Sequence, residues 1–127
     1  MKDKITDSEF REILLRRSNG VIDFHQFLDE LSQRGINEYE IEVATGQATY
    51  IGAYSEFKTD SQVNLVISDD FNRNKVLEAI TNISLPFLVF LQEIANAGIV
   101  SYRVFIKEKK VIYLGIKGEE IEEQLKI

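Results

Sequence analysis

The sequence contains no cysteine and a single histidine, His25. Disulfide frameworks, thiolate chemistry, zinc fingers and multi-histidine metal centres are therefore excluded, because each needs several sulfur or imidazole groups. Basic residues are also in the minority: fifteen Lys and Arg stand against twenty-one Asp and Glu, a formal net charge of −6. Nucleic acid is not an expected partner, since affinity for phosphate backbones rests on cationic neutralisation. Long apolar runs are missing too. Leu85 to Leu91 covers seven residues and stops at Gln92-Glu93, where a bilayer crossing needs roughly 20. The opening Met1-Lys2-Asp3-Lys4-Ile5-Thr6-Asp7 carries acids where an export signal is basic and then apolar, so a cytoplasmic location without a membrane partner is expected. No glycine-rich phosphate loop leads into a helix, and no serine or threonine stands in a nucleophile motif. No cofactor is expected.

What remains is size and pattern. With 127 residues, 44% hydrophobic and 28% charged, the chain suits one packed domain over residues 1–127. Shifted on itself by 63 positions, Phe24 to Gly52 falls on Phe87 to Gly115 without a gap, with nine identities. These pair Phe24 with Phe87, Phe27 with Phe90, Leu28 with Leu91, Glu30 with Glu93, Gly35 with Gly98, Ile36 with Ile99, Tyr39 with Tyr102, Tyr50 with Tyr113 and Gly52 with Gly115. An internal duplication, about residues 7–68 and 70–127, is expected.

Each half reads as helix, helix, hairpin. Phe24, Phe27, Leu28 and Leu31 recur at helical spacing, as do Phe87, Phe90, Leu91 and Ile94, so both helices bury one face. Asp23 and Pro86 suit the helix starts, and Gly35 and Gly98 suit left-handed ends. The period then becomes two: Tyr39, Ile41 and Val43 alternate with Glu40 and Glu42, and Tyr102, Val104 and Ile106 match them. Turns are expected at Thr45-Gly46-Gln47 and near Lys109-Lys110, with returning strands at Ala48–Ile51 and Val111–Leu114. A further strand is expected at Val63–Ser68. Thr6 to Glu9 has capping-box spacing ahead of Phe10, Ile13 and Leu14, and Asp69-Asp70 precede a matching helix with Val76, Leu77 and Ile80. The tail from Gly118 onward fits either a helical turn or an edge strand. The fold expected is α+β: two diverged helix-helix-hairpin repeats forming a mainly antiparallel sheet, with helices on one face and a pseudo-twofold between the halves.

The run Gly35-Ile36-Asn37-Glu38-Tyr39-Glu40-Ile41-Glu42-Val43, closing at Tyr50-Ile51-Gly52, resembles the signature of domain of unknown function 1398. Phe87, Ala97-Gly98-Ile99 and Tyr102 resemble that family's second half, and the likeness runs from about residue 21 to the end. The family is also called YbcV-like and is often labelled phage envelope protein, which implies a phage or mobile-element origin. The resemblance brings no activity and no residue roles.

Candidate site residues are few. His25 carries the chain's one imidazole and Asp29 stands one helical turn beyond it, which suits either a base or a partly exposed surface histidine. Glu38, Glu40 and Glu42 line one strand face, a direction too uniform to enclose a cation, so a solvated face is expected and no metal. Tyr39 and Tyr102 recur at equivalent places and suit either core packing or a ligand groove between the halves. Charge separates the two halves. Residues 1–63 hold seven basic and twelve acidic side chains, and residues 64–127 hold eight and nine. Glu40 is replaced by Arg103, Ala44 by Lys107 and Glu42 by Phe105, which places an outward aromatic on a basic fringe. This suits a protein contact or self-association, or else Phe105 lies under the tail. Two functions follow: a non-enzymatic binding or regulatory protein working through Phe105, Arg103 and Lys107, or an enzyme or small-molecule binder using Tyr39, Tyr102 and His25.

Overall fold

Helix starts are set by side chains that satisfy the first free N–H groups. The computed structural model describes residues 5–82 and 85–125; Met1–Lys4 of the opening run and Lys126-Ile127 of the tail lie outside them. Thr6 and Glu9 form a reciprocal capping box that opens α1 (Asp7–Ser18), and Asp23 with Gln26 does the same for α2 (Phe24–Gln33). Asn72 accepts from the Lys75 N–H at the start of α3 (Arg73–Thr81), and Pro86 precedes α4 (Phe87–Asn96). The α3 start thus falls beyond Asp69-Asp70, because Phe71 leaves the helix path to pass beside Gly98.

Helices α2 and α4 both end on glycine: Gly35 has φ +87° and Gly98 φ +88°, left-handed values that side chains resist. The chain then enters β1 (Ile36–Glu42) and β2 (Ala48–Gly52) in the first half, and β4 (Ile99–Phe105) and β5 (Lys110–Gly115) in the second. β3 (Glu56–Lys58) and β6 (Glu120–Gln124) follow the two hairpins. All six strands join one antiparallel sheet in the order β3-β2-β1-β4-β5-β6. The protein is α+β, with four helices and this sheet.

One open alternative about the sheet closes and one expectation changes. The tail is a strand, paired with β5 from Lys110↔Gln124 to Leu114↔Glu120. Val63–Ser68 is not a strand. Its alternation is real, with Val63, Leu65 and Ile67 packed on the core and Val66 85% exposed. Its backbone, however, bonds to Thr45 and Ala44 in a turn and to Ala95 at a helix end, so no ladder forms. Alternating burial reports one covered side, while a strand also needs a parallel row of donors and acceptors beside it.

Burial follows the sheet's period of two. Tyr39, Ile41, Ala48, Tyr50, Tyr102, Val104, Val111, Tyr113 and Ile121 are buried with Phe10, Phe27, Leu28, Leu31, Val76, Leu91 and Ile94 from the helices. Phe10 meets Tyr50 edge-on with ring centroids 4.9 Å apart, Phe27 meets Tyr39, and Phe90 meets Tyr102. The helices therefore cover one face of the sheet and leave the other in solvent.

Candidate functional site

The uncovered face is built by the strand residues of opposite parity. One row across it runs Thr49, Glu40, Arg103, Ile112, Glu122; the next runs Ile51, Glu38, Phe105, Lys110, Gln124. A third places Glu42 beside Ser101, Leu114 and Glu120. Phe105, Ile112 and Leu114 thus lie in the β4–β5 stripe, with glutamates of β1 on one side and of β6 on the other. Leu114 is exposed, and Phe105 and Ile112 are half-buried.

Charges on this face are organised around Arg103. Its guanidinium spans the β1–β4 boundary, with Nη1 3.2 Å from Glu38 Oε1 and Nη2 2.5 Å from Glu40 Oε2. The hydrogen bond to Glu40 raises the Arg103 pKa further and keeps the group charged. Glu42 accepts from the Thr45 hydroxyl at 3.2 Å. The three β1 carboxylates therefore meet donors of the chain itself. Lys110 Nζ sits 5.4 Å from the centroid of the Phe105 ring and 3.9 Å from Glu122 Oε1. Phe105 is flanked by Glu38 and Lys110 rather than lying beneath the tail, because β6 extends the sheet edge instead of crossing it. Lys107 is exposed in the turn between β4 and β5.

Tyr39 and Tyr102 come together on the helix-covered side. They are 6% and 8% exposed, enclosed by Phe27, Phe90, Tyr50 and Tyr113. Burial pushes the hydroxyls of all four tyrosines above their ordinary range, which keeps them neutral. His25 is elsewhere: on the outer flank of α2, it holds Nε2 3.7 Å from Asp29 Oδ2, with both side chains more than half exposed.

One polar group on the covered side was not visible in the sequence. Glu123 is half-buried, and its Oε1 accepts from the Tyr113 hydroxyl at 2.8 Å. It shares the parity of Ile121, a signal hidden while the tail could also be read as a helix. Burial raises the Glu123 pKa above the ordinary 4.5, and the Tyr113 hydrogen bond lowers it in part. A raised folded pKa means that folding favours the protonated acid. The stabilisation is complete below about pH 4 and is lost as pH rises through the folded value. Glu123→Gln is expected to unfold at higher urea concentration than the parent at pH 7, with the difference shrinking toward pH 4. Paired urea curves at both values check this; a variant weaker by the same margin at both would contradict it.

Other surface features are less organised. A cleft of about 160 Å³ between α1 and α2 is lined by Glu9, Glu12, Arg16, Glu30 and Arg34, with Arg16 Nη2 2.7 Å from Glu30 Oε1. It lies away from the β1–β4 boundary. Phe87, Leu88 and Val89 are exposed in the first turn of α4, where α2 has Phe24, His25 and Gln26. Among the described residues no three His, Cys, Asp or Glu side chains are placed to hold a metal, and no helix is long and apolar enough to cross a membrane.

Fold and surface define a class: an α+β protein whose antiparallel sheet is covered on one face by four helices and open on the other. The chain belongs to the family described as protein of unknown function (DUF1398), whose pattern matches residues 13–123. No curated protein matches it.

Proposed function

We propose that this protein is a non-enzymatic binding module that engages a protein partner through the uncovered face of its sheet. The observation that carries the reading is the apolar stripe of Phe105, Ile112 and Leu114 between two acidic margins, on a face without helices among the described residues. Exposed apolar area rimmed by charge is characteristic of protein contacts. The arrangement offers little to a reaction: Tyr39 and Tyr102 are enclosed, and His25 stands apart from them.

We also propose that the chain is one domain whose halves arose by duplication. Strands β1 and β4 have the same length, and β1 pairs with β4 so that Glu40 faces Arg103. Those two residues are each other's equivalents under the 63-residue shift, so a twofold axis through the sheet would pass between them. Helices α2 and α4 and the left-handed Gly35 and Gly98 keep the same spacing. On this reading the halves diverged where binding is proposed: Glu42 in the first corresponds to Phe105 in the second. A phage or mobile-element origin fits a small module of this kind, with the family resemblance as its support.

Affinity capture from a cell extract tests the binding surface. A protein retained by the parent and by His25→Gln should be lost with Phe105→Glu, which puts a charge in place of the stripe's one aromatic ring. Retention of the same proteins by all three would remove the proposal.

A further inference from the structure

The sheet has two edges, and they differ. β3 is three residues long. β6 is five residues long and carries three carboxylates, Glu120, Glu122 and Glu123, with Glu119 just ahead of it. Its hydrogen-bonding sense is fixed by the bonds to its inner neighbour: Leu125 N–H donates to Lys109 O at 2.8 Å, and Gly115 N–H donates to Glu119 O at 2.7 Å. In an antiparallel ladder the backbone groups of alternate residues then point the same way. Those of Ile121 and Glu123 face β5, and those of Glu120, Glu122 and Gln124 face outward. Among the described residues no strand pairs with that row.

We infer that the β6 edge accepts an extended segment of a partner protein whose sequence alternates basic and apolar residues, added antiparallel to Glu120–Gln124. Backbone groups of Glu120, Glu122 and Gln124 would complete the ladder, in the manner of strand addition. Side chains opposite these residues fall on the open face of the sheet, where Glu120 and Glu122 are exposed. Lysine or arginine opposite glutamate is favourable there, and like charges directly opposite are not. The alternate side chains fall on the covered face, where Ile121 is fully buried and Glu123 accepts from the Tyr113 hydroxyl, so an apolar residue suits the place opposite Ile121.

Charge decides the occupant. A second copy of this chain is disfavoured, because antiparallel pairing of β6 with itself sets Glu122 opposite Glu122 or Glu120. Lys110 Nζ stands 3.9 Å from Glu122, at the outer limit of an ion pair. Charged edges commonly guard sheets against aggregation. A guard of one sign still discriminates, since it repels acidic strands and the chain's own edge while leaving basic ones admissible. Glu120 and Glu122 also form one margin of the Phe105 stripe, but amide protection in β6 reports this inference alone, and loss of a partner with Phe105→Glu reports the other.

The test uses the full chain, isotope-labelled, and two short blocked peptides, one alternating lysine with valine and the other glutamate with valine. The lysine peptide should bind saturably and slow exchange of the Glu120, Glu122 and Gln124 amides by about tenfold or more, as ladder bonds do to open edge amides. Its affinity should fall several-fold between about 50 and about 500 mM salt. The glutamate peptide should not bind. The double variant Glu120→Lys/Glu122→Lys should exchange these preferences, and Glu120→Gln/Glu122→Gln, a milder change that keeps the edge polar, should weaken the lysine peptide without recruiting the other. Glu93→Lys on exposed α4 should leave both results as in the parent. Absence of saturable binding, protection centred outside β6, or lysine-peptide binding that survives the charge reversal would each overturn the inference.

Discussion

Gly98→Ala should destabilise the protein by about 2–5 kcal/mol, while Gly35→Ala should cost about 1–2 kcal/mol, although the two glycines end equivalent helices with the same left-handed φ. The shared part of the cost is backbone: a side chain at φ near +88° crowds its own carbonyl. The difference is in the surroundings. A Cβ on Gly35 meets open space, but one on Gly98 would stand 2.9 Å from both the Asp70 carbonyl oxygen and the Phe71 Cα. Those are backbone atoms, and they cannot rotate away. They are also tied in place, since Asn72 N–H donates to Ala97 O at 2.9 Å and Ile116 N–H donates to Gly98 O at 2.8 Å. Denaturant unfolding of the parent and both variants checks the order; equal losses would show that the connection between the halves does not press on Gly98.

Tyr102→Ala should cost about 3–5 kcal/mol, in the range of deleting a buried aromatic ring. Its ring lies 5.3 Å from that of Tyr113 and 6.0 Å from that of Phe90, so removal opens a void beneath α4. Tyr102→Phe should cost less than about 1 kcal/mol, because the ring and its packing are kept. Thermal or urea unfolding separates the two. If the phenylalanine variant lost as much as the alanine variant, the hydroxyl rather than the ring would be the important group, and the tyrosine cluster would have to be reconsidered as polar machinery.

Much of the fold was legible because its strongest signals are local. The spacing of Phe24, Phe27, Leu28 and Leu31, the glycine at 35 and the alternation from Tyr39 to Val43 are each a property of a few neighbouring residues, and α2 and β1 follow them. β3 was not legible, since Glu56-Phe57-Lys58 is too short to show a period and exists because β2 offers it a ladder. Val63–Ser68 misled for the opposite reason: its alternation was strong, but its place beside the β1–β2 turn gives it no strand to join. The open face was legible in part. The exchange of Glu40 for Arg103 was visible in the sequence, but that these two residues stand opposite one another, with Glu38 sharing the guanidinium, depends on the β1–β4 register. Glu123 required knowing that the tail is a strand. Once β6 is placed, the parity of Ile121 assigns Glu123 to the covered face, where Tyr113 meets it.

The proposed reading assigns binding to the open face, and the packing assigns stability to the covered one. Calorimetric titration of a purified captured partner against the parent, Phe105→Glu and Tyr102→Phe separates the two most directly. The account predicts a loss of affinity of about tenfold or more for Phe105→Glu, the scale of losing one aromatic anchor in an interface, and parental affinity for folded Tyr102→Phe. Parental affinity for Phe105→Glu together with a large loss for Tyr102→Phe would contradict it and return the binding site to the tyrosines between the two halves.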